Sequence, residues 1–233
     1  MKKSCVTKIL SFLVINVLLF SFTCMDVVGK RMLATNEYTL VVEGFDWGPA
    51  VNKVILELDS PITTVDFKNF MVSVERTHTC VEIPSNQVKG ERTVVYAYPS
   101  DNKGNRVKEG TFITLVLAVS PNLPLSSPFQ YSQKEGCKGN KWVDYKMSIT
   151  EIKSNKVWNK QKNKLMPLVD EFDLLGKFNY GEGKLLTYAS FTPKNKSTKS
   201  PLIIWLHGGG EGGTDFTTGH TGKRMFLKLV RLP

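Results

Sequence analysis

The chain has 233 residues, of which 41% are hydrophobic and 22% are charged, and this balance excludes disorder throughout. The length suffices for one large or two small domains. Its formal net charge of +10 predicts association with anionic partners, either a cell envelope or acidic polymers, and charge alone does not choose between them.

Residues 1–29 have the pattern of an export signal. Basic residues at the start precede an apolar segment at residues 9–22, and small residues at 27–29 offer a cleavage site. The apolar run is shorter than the roughly 20 residues of a comfortable membrane span, which favours cleavage over retention as an anchor. A lipoprotein anchored at Cys24 is a less favoured alternative, because Phe22 occupies a position where lipidation signals carry a small residue. We therefore expect a secreted or extracytoplasmic protein.

Two cysteines would remain after this cleavage, Cys80 and Cys137. In an oxidising compartment they could form a disulfide that stabilises the fold by a few kcal/mol, and two unpaired buried thiols are the equal alternative. Their spacing does not resemble a metal site, and no metal is expected. The mature chain would keep 28 basic and 20 acidic residues.

Six short runs rich in β-branched and aromatic residues predict strands in the first half of the chain. They cover residues 38–42, 51–58, 70–74, 93–98, 111–119 and 145–152. The segments between them carry the Gly, Pro, Asn and Asp residues of turns. This spacing predicts an immunoglobulin-like β-sandwich over residues 30–152, with an irregular barrel as the alternative.

Residues 153–183 are predicted to form a linker. Five lysines surround Trp158 in its first part: Lys153, Lys156, Lys160, Lys162 and Lys164. An aromatic among basic residues can mark a nucleic-acid site, but an exported protein rarely meets nucleic acid, so no such partner is expected. A solvated edge or an interdomain connector is the favoured interpretation.

Residues 184–233 are predicted to begin an α/β-hydrolase domain. A strand at 185–193 and a polar turn precede a nearly continuous apolar strand at 201–206, as expected for a strand covered on both faces. A glycine-rich loop follows from His207. It formally satisfies a dinucleotide-binding pattern, but no acidic residue lies among residues 225–233, so no cofactor is expected. The predicted fold is mainly β, a sandwich followed by the incomplete start of an α/β-hydrolase domain.

Two parts of the chain carry a family resemblance. The motif Gly-Phe-Asp-Trp-Gly-Pro at 44–49, together with segments 186–193 and 202–215, resembles secreted bacterial esterases with an N-terminal immunoglobulin-like domain. Their catalytic domain is an α/β-hydrolase related to polyhydroxybutyrate-depolymerase-like and prolyl-oligopeptidase-like enzymes. The resemblance implies a serine carboxylic-ester hydrolase, with a peptidase-like activity as an alternative, that acts on an ester substrate or polymer.

The resemblance also implies an oxyanion hole at Gly209 or Gly210, with His207 and Gly208 supporting the loop. No catalytic residue is expected in this chain. No glycine is followed two residues later by serine, and no serine follows Ser200. The chain therefore looks C-terminally truncated, naturally or through a frameshift or sequencing artefact, and we expect it to be inactive alone. The alternative function is a non-catalytic immunoglobulin-like binding or interaction module.

Trp47 is the aromatic residue that could serve such a binding role. An exposed tryptophan could offer a platform for a sugar or polymer. A tryptophan next to Gly-Pro more often packs against its neighbours, and the sequence therefore favours a packing role for Trp47.

Overall fold

The computed structural model describes residues 36–194 and 201–206. These residues form thirteen strands and four short 3-10 helices. The strands are β1 Glu37–Phe45, β2 Gly48–Ile62, β3 Phe70–Thr77, β4 Lys89–Arg92, β5 Val94–Ser100, β6 Gly110–Leu117, β7 Phe129–Ser132, β8 Gly139–Trp142, β9 Asp144–Glu151, β10 Val157–Trp158, β11 Lys160–Leu165, β12 Asp173–Gly181 and β13 Lys184–Ser190. The 3-10 helices are Phe67–Asn69, Ser85–Gln87, Pro124–Ser126 and Val169–Glu171.

Two sheets form a β-sandwich. One has the strand order β11-β1-β2-β6-β5 and the other β10-β9-β3-β4. Neighbouring strands are antiparallel except β1 and β11, which pair in parallel. The six predicted strands all lie within or overlap observed ones, and the mainly β prediction is confirmed.

Alternating apolar residues place the core between these sheets. In β3 the side chains of Phe70, Val72 and Val74 are buried while those between them are exposed, which is the period-two pattern of a strand with one covered face. The same cluster includes Leu56 and Leu115 of the five-stranded sheet. Burial of this shared apolar surface is the main favourable contribution to the sandwich.

Hydrogen bonds also cross from one sheet to the other. The backbone N–H of Met147 in β9 donates to the hydroxyl oxygen of Tyr38 in β1 at 2.9 Å. The guanidinium of Arg92 in β4 donates to the carbonyl oxygen of Val51 in β2 at 2.9 Å. These bonds satisfy buried polar groups and fix how the two sheets are aligned.

The sandwich continues beyond the boundary predicted at residue 152. Strand β10 pairs with β9, and β11 pairs with β1. Trp158 is 1% exposed and its indole N–H donates to the carbonyl of Glu57 at 2.9 Å, so this part of the predicted linker is anchored in the core. The lysines of β11 remain exposed, as on a solvated edge strand.

After the sandwich, β12 and β13 form a separate antiparallel hairpin. Its two turn residues, Glu182 and Gly183, both have positive φ angles (49° and 73°), as a type I′ turn requires. The predicted strand at 201–206 is not formed: these residues have no regular secondary structure and Leu202–Leu206 are 43–83% exposed. Among the described residues no strand forms a ladder with this segment.

Candidate binding cleft

A cleft of about 400 Å³ opens at one end of the sandwich. The turn between β1 and β2, the end of β3, the loop after β6 and strands β7 and β8 all contribute to its walls. Its lining includes aromatic, amide, hydroxyl and charged side chains, and its volume lies within the range of small-molecule sites.

Trp47 lies at this cleft rather than in the core. Phe45 and Gly48 are paired, so Asp46 and Trp47 form a two-residue turn, and the φ angle of +128° at Gly48 is one that glycine adopts readily. The indole stacks on Phe45 with ring centroids 5.0 Å apart and an angle of 11° between the planes. This stack agrees with the expected packing of Trp47 against its neighbours, but the side chain is also 39% exposed and lines the cleft, so packing does not account for its whole surface.

Arg76 lies beneath the cleft with its charge almost fully buried. It follows Phe70, Val72 and Val74 on the covered face of β3 and is 1% exposed. One terminal nitrogen donates to the carbonyl of Gln87 at 3.1 Å. The other donates to the carbonyl of Phe129 at 2.7 Å and to the side-chain oxygen of Gln130 at 3.3 Å.

The charge of Arg76 is incompletely matched by these contacts. Within the described ranges its Nε–H is buried without a hydrogen-bond partner, and the guanidinium forms no salt bridge. Burial lowers the pKa of the guanidinium, and the nearby Tyr145 opposes this change. Because an arginine stays protonated in proteins, the cleft lies above a positive charge held by neutral oxygens.

A second buried arginine holds the loop that forms one wall. Arg92 donates to the carbonyl of Leu125 at 3.2 Å, to that of Ala118 at 3.0 Å and to the hydroxyl oxygen of Tyr145. The Tyr145 hydroxyl donates in turn to the carbonyl of Leu125 at 2.6 Å. Burial raises the pKa of Tyr145 to about 12, and the neighbouring arginines act against this rise. The loop is thus held in place before any ligand arrives.

Another part of the cleft wall is held by Cys80 and Cys137, for which the sequence allowed either a disulfide or two unpaired thiols. Cys80 and Cys137 form a disulfide with their Cα atoms 6.2 Å apart. It connects the segment after β3 to the β7–β8 hairpin, which carries Gln130, Tyr131 and Asn140 of the cleft. The hairpin itself packs internally through Phe129 and Trp142, whose rings meet edge to face at 4.4 Å.

His78 completes a group of metal-binding residue types beside this disulfide. Its imidazole and the sulfur atoms of Cys80 and Cys137 lie within 4.8 Å of one another. Nδ1 of His78 accepts hydrogen bonds from the backbone N–H groups of Cys80 and Val81 at 3.0 and 3.1 Å. Since the two sulfurs are bonded to each other, neither is the thiolate that a metal ion requires.

The predicted oxyanion loop of His207, Gly208, Gly209 and Gly210 lies outside the described residues. Sequence reasoning missed Arg76, although its position on the covered face of β3 was a usable signal. It also missed Gln130 and Tyr131, which lie in a strand of only four residues, too short for its pattern to stand out. Across 36–194 and 201–206, no helix is long and apolar enough to span a membrane.

Comparisons with known proteins agree with this architecture. The sequence profile described as "Esterase Ig-like N-terminal domain" matches residues 37–163. A solved structure described as "Crystal Structure of a Thermostable Esterase" superposes with a TM-score of 0.63 at 23% sequence identity and covers 80% of this chain. The chain covers 51% of that esterase, about half of its length. No curated protein matches the chain. Residues 37–163 span more than half of the sequence, and the chain therefore belongs to the family of proteins with this esterase immunoglobulin-like N-terminal domain.

Proposed function

We propose that the chain is the N-terminal part of an exported serine carboxylic-ester hydrolase whose catalytic domain is an α/β-hydrolase. The observation that carries the proposal is the esterase-type immunoglobulin-like domain at 37–163, followed by a hairpin and then by an apolar segment that runs into His-Gly-Gly-Gly. The solved esterase matches more of the chain than the immunoglobulin-like domain occupies, which supports a relationship that extends past residue 163.

The exposed apolar side chains of the β12–β13 hairpin support a domain that begins there. Leu185 and Leu186 are adjacent in β13 and therefore lie on opposite faces, yet they are 52% and 57% exposed. Phe178 and Tyr180 of β12 are 58% and 60% exposed. Apolar residues on both faces are typical of strands covered by helices on both sides, as in an α/β-hydrolase sheet. We propose that the remainder of the catalytic domain covers this hairpin.

In this proposal, backbone N–H groups at Gly209 or Gly210 stabilise the oxyanion that forms when a serine attacks the ester carbonyl. The serine must be activated by a histidine base that an acid orients. The 233 residues contain no Gly-x-Ser-x-Gly sequence, so we propose that they do not hydrolyse esters by themselves.

The coding DNA tests this proposal. Reading it in three frames through and beyond the codon for Asp215 should reveal Gly-x-Ser-x-Gly followed by an acidic residue and a histidine. The product of that longer frame should hydrolyse p-nitrophenyl acetate, while its serine-to-alanine variant and the 233-residue chain should not. Turnover by the purified 233-residue chain that a substitution within it abolishes would contradict the proposal, as would the absence of the motif in every frame.

Export is part of the same proposal. The Cys80–Cys137 disulfide supports it, because structural disulfides persist mainly in oxidising compartments. Mass spectrometry of the protein recovered outside the cytoplasm should give a mature N-terminus near residue 30. A protein that stays in the cytoplasm with residues 1–29 attached would contradict the export.

A non-catalytic binding module is the second candidate function. The exposed position of Trp47 in a preformed cleft favours it. The two functions are separable by experiment, because binding would persist in the 233-residue chain whether or not that chain hydrolyses esters.

A further inference from the structure

We propose that the Trp47 cleft binds a carboxylate-bearing sugar unit of an acidic polysaccharide. This inference rests on the binding function, the second candidate above, and does not depend on ester hydrolysis. Three independent features of the cleft support it: the aromatic residues at its opening, the polar groups on its walls and the positive charge beneath it.

The aromatic residues match the shape of a sugar ring. A pyranose has faces made of C–H groups and a rim of hydroxyls, so it packs against flat aromatic surfaces while its rim forms hydrogen bonds. Trp47 is 39% exposed and is braced by its stack on Phe45. Tyr131 lines the same cleft and is 47% exposed. Aromatic side chains with few rotatable bonds provide such contact area at little entropic cost.

The polar side chains of the cleft match the hydroxyl groups at the rim of a sugar ring. Gln87, Gln130 and Asn140 line the cleft, and an amide side chain can both donate and accept, although the side-chain oxygen of Gln130 already accepts from Arg76. Asp46, which also lines the cleft, carries a carboxylate that accepts. A sugar hydroxyl likewise both donates and accepts. A few convergent polar groups around an aromatic surface are the usual source of orientation and specificity in a small-molecule site.

The charge of Arg76 favours an acidic sugar over a neutral one, against the opposing charge of the Asp46 carboxylate in the same cleft. Arg76 is 1% exposed, and its guanidinium donates to carbonyl and amide oxygens. Within the part of the chain that the structure describes, its Nε–H has no partner. In a weakly polar interior the field of such a charge is less screened than in water. A carboxylate on the ligand would find this potential favourable, and the net charge of +10 would attract an anionic polymer from a distance.

The walls are fixed before binding, which reduces the entropic cost of association. Arg92 and Tyr145 hold the loop at Leu125, and the disulfide between Cys80 and Cys137 anchors the hairpin that carries Tyr131. The cleft therefore presents its polar groups without prior rearrangement.

Isothermal titration calorimetry of the full 233-residue chain tests the proposal. The probes are a galacturonic-acid trisaccharide and a neutral galactose trisaccharide. We expect the acidic probe to bind about tenfold or more tightly than the neutral one and to weaken as salt is added. Trp47→Ala should weaken binding about tenfold or more. Tyr96→Ala is the control, since Tyr96 is a similarly exposed aromatic residue (43%) outside the cleft, and it should bind like the original chain.

Equal affinity for both trisaccharides, or no heat from either, would overturn the proposal. So would unchanged binding in Trp47→Ala, or an equal loss in Tyr96→Ala. The buried Arg76 is tested through the ligand's charge, because its own substitution could unfold the protein. None of these outcomes bears on p-nitrophenyl acetate hydrolysis by the longer gene product, so failure of the sugar site and failure of the esterase proposal remain distinguishable.

Discussion

The Tyr145 hydroxyl fixes one wall of the cleft, and we predict that Tyr145→Phe destabilises the fold in a pH-dependent way. The hydroxyl donates to the carbonyl of Leu125 at 2.6 Å and accepts from the guanidinium of Arg92. Removing this hydroxyl leaves a buried N–H donor of the charged Arg92 guanidinium with one acceptor fewer. Such a loss should lower the free energy of unfolding by about 2–3 kcal/mol near neutral pH.

The pH dependence follows from the raised pKa of Tyr145. That pKa is about 12 in the folded protein, against an ordinary value near 10. The folded state therefore keeps the phenol proton at a pH where the unfolded state has released it. The resulting stability is fully present below pH 10 and is lost as the pH rises through 12. A shift of this size corresponds to roughly 3 kcal/mol.

Urea unfolding of the original chain and Tyr145→Phe between pH 8 and pH 12 measures this effect. The difference between their unfolding free energies should shrink by roughly 3 kcal/mol over the range, because the variant lacks the titrating phenol. Other titrating groups are common to both proteins and cancel in the difference. A constant difference for Tyr145→Phe would refute the reasoning.

Two further predictions concern stability. Replacing Cys80 and Cys137 together by serine should lower the free energy of unfolding by about 4 kcal/mol, because the disulfide closes a long loop. A urea midpoint that is unchanged in both oxidising and reducing buffer would contradict this prediction. Gly110→Ala places a Cβ atom 2.5 Å from the backbone carbonyl oxygen of Ser100 and should cost about 2–3 kcal/mol. Gly136→Ala meets no atom within 4 Å and should cost only about 1 kcal/mol, for its φ of +76°. Thermal unfolding of both variants checks the order, and an equal loss would contradict the clash.

The sequence predicted the strands whose own residues reveal a covered face. In β3 and β9 apolar and polar residues alternate, so each strand is recognisable before its neighbours are known. Strand β11 gives no such signal, because five of its six residues are exposed and three of them are lysines. Its pairing with β1 is a tertiary contact across more than a hundred residues of sequence. Edge strands of this kind are visible only once the sheet is known.

The cleft was only partly predictable for the same reason. The motif around Trp47 was visible in the sequence. The exposure of the Trp47 side chain, however, depends on the position of the loop after β6. The oxygens around Arg76 come from Gln87, Phe129 and Gln130, which are between 11 and 54 residues away along the chain. Periodicity places Arg76 on the covered face, and only the topology shows what surrounds it.

The distribution of charge favours the cleft over the lysine-rich edge as the place where an anionic ligand binds. Lys160 and Lys162 donate to Glu37 and Glu57 at 2.7 and 2.8 Å, and Lys156 donates to Asp59 at 2.8 Å. These carboxylates offset much of the positive potential that the lysine pattern predicts. Arg76 has no carboxylate partner among the described residues and is shielded from water. A positive charge in that situation gives more selectivity for a ligand carboxylate than several paired, solvated lysines.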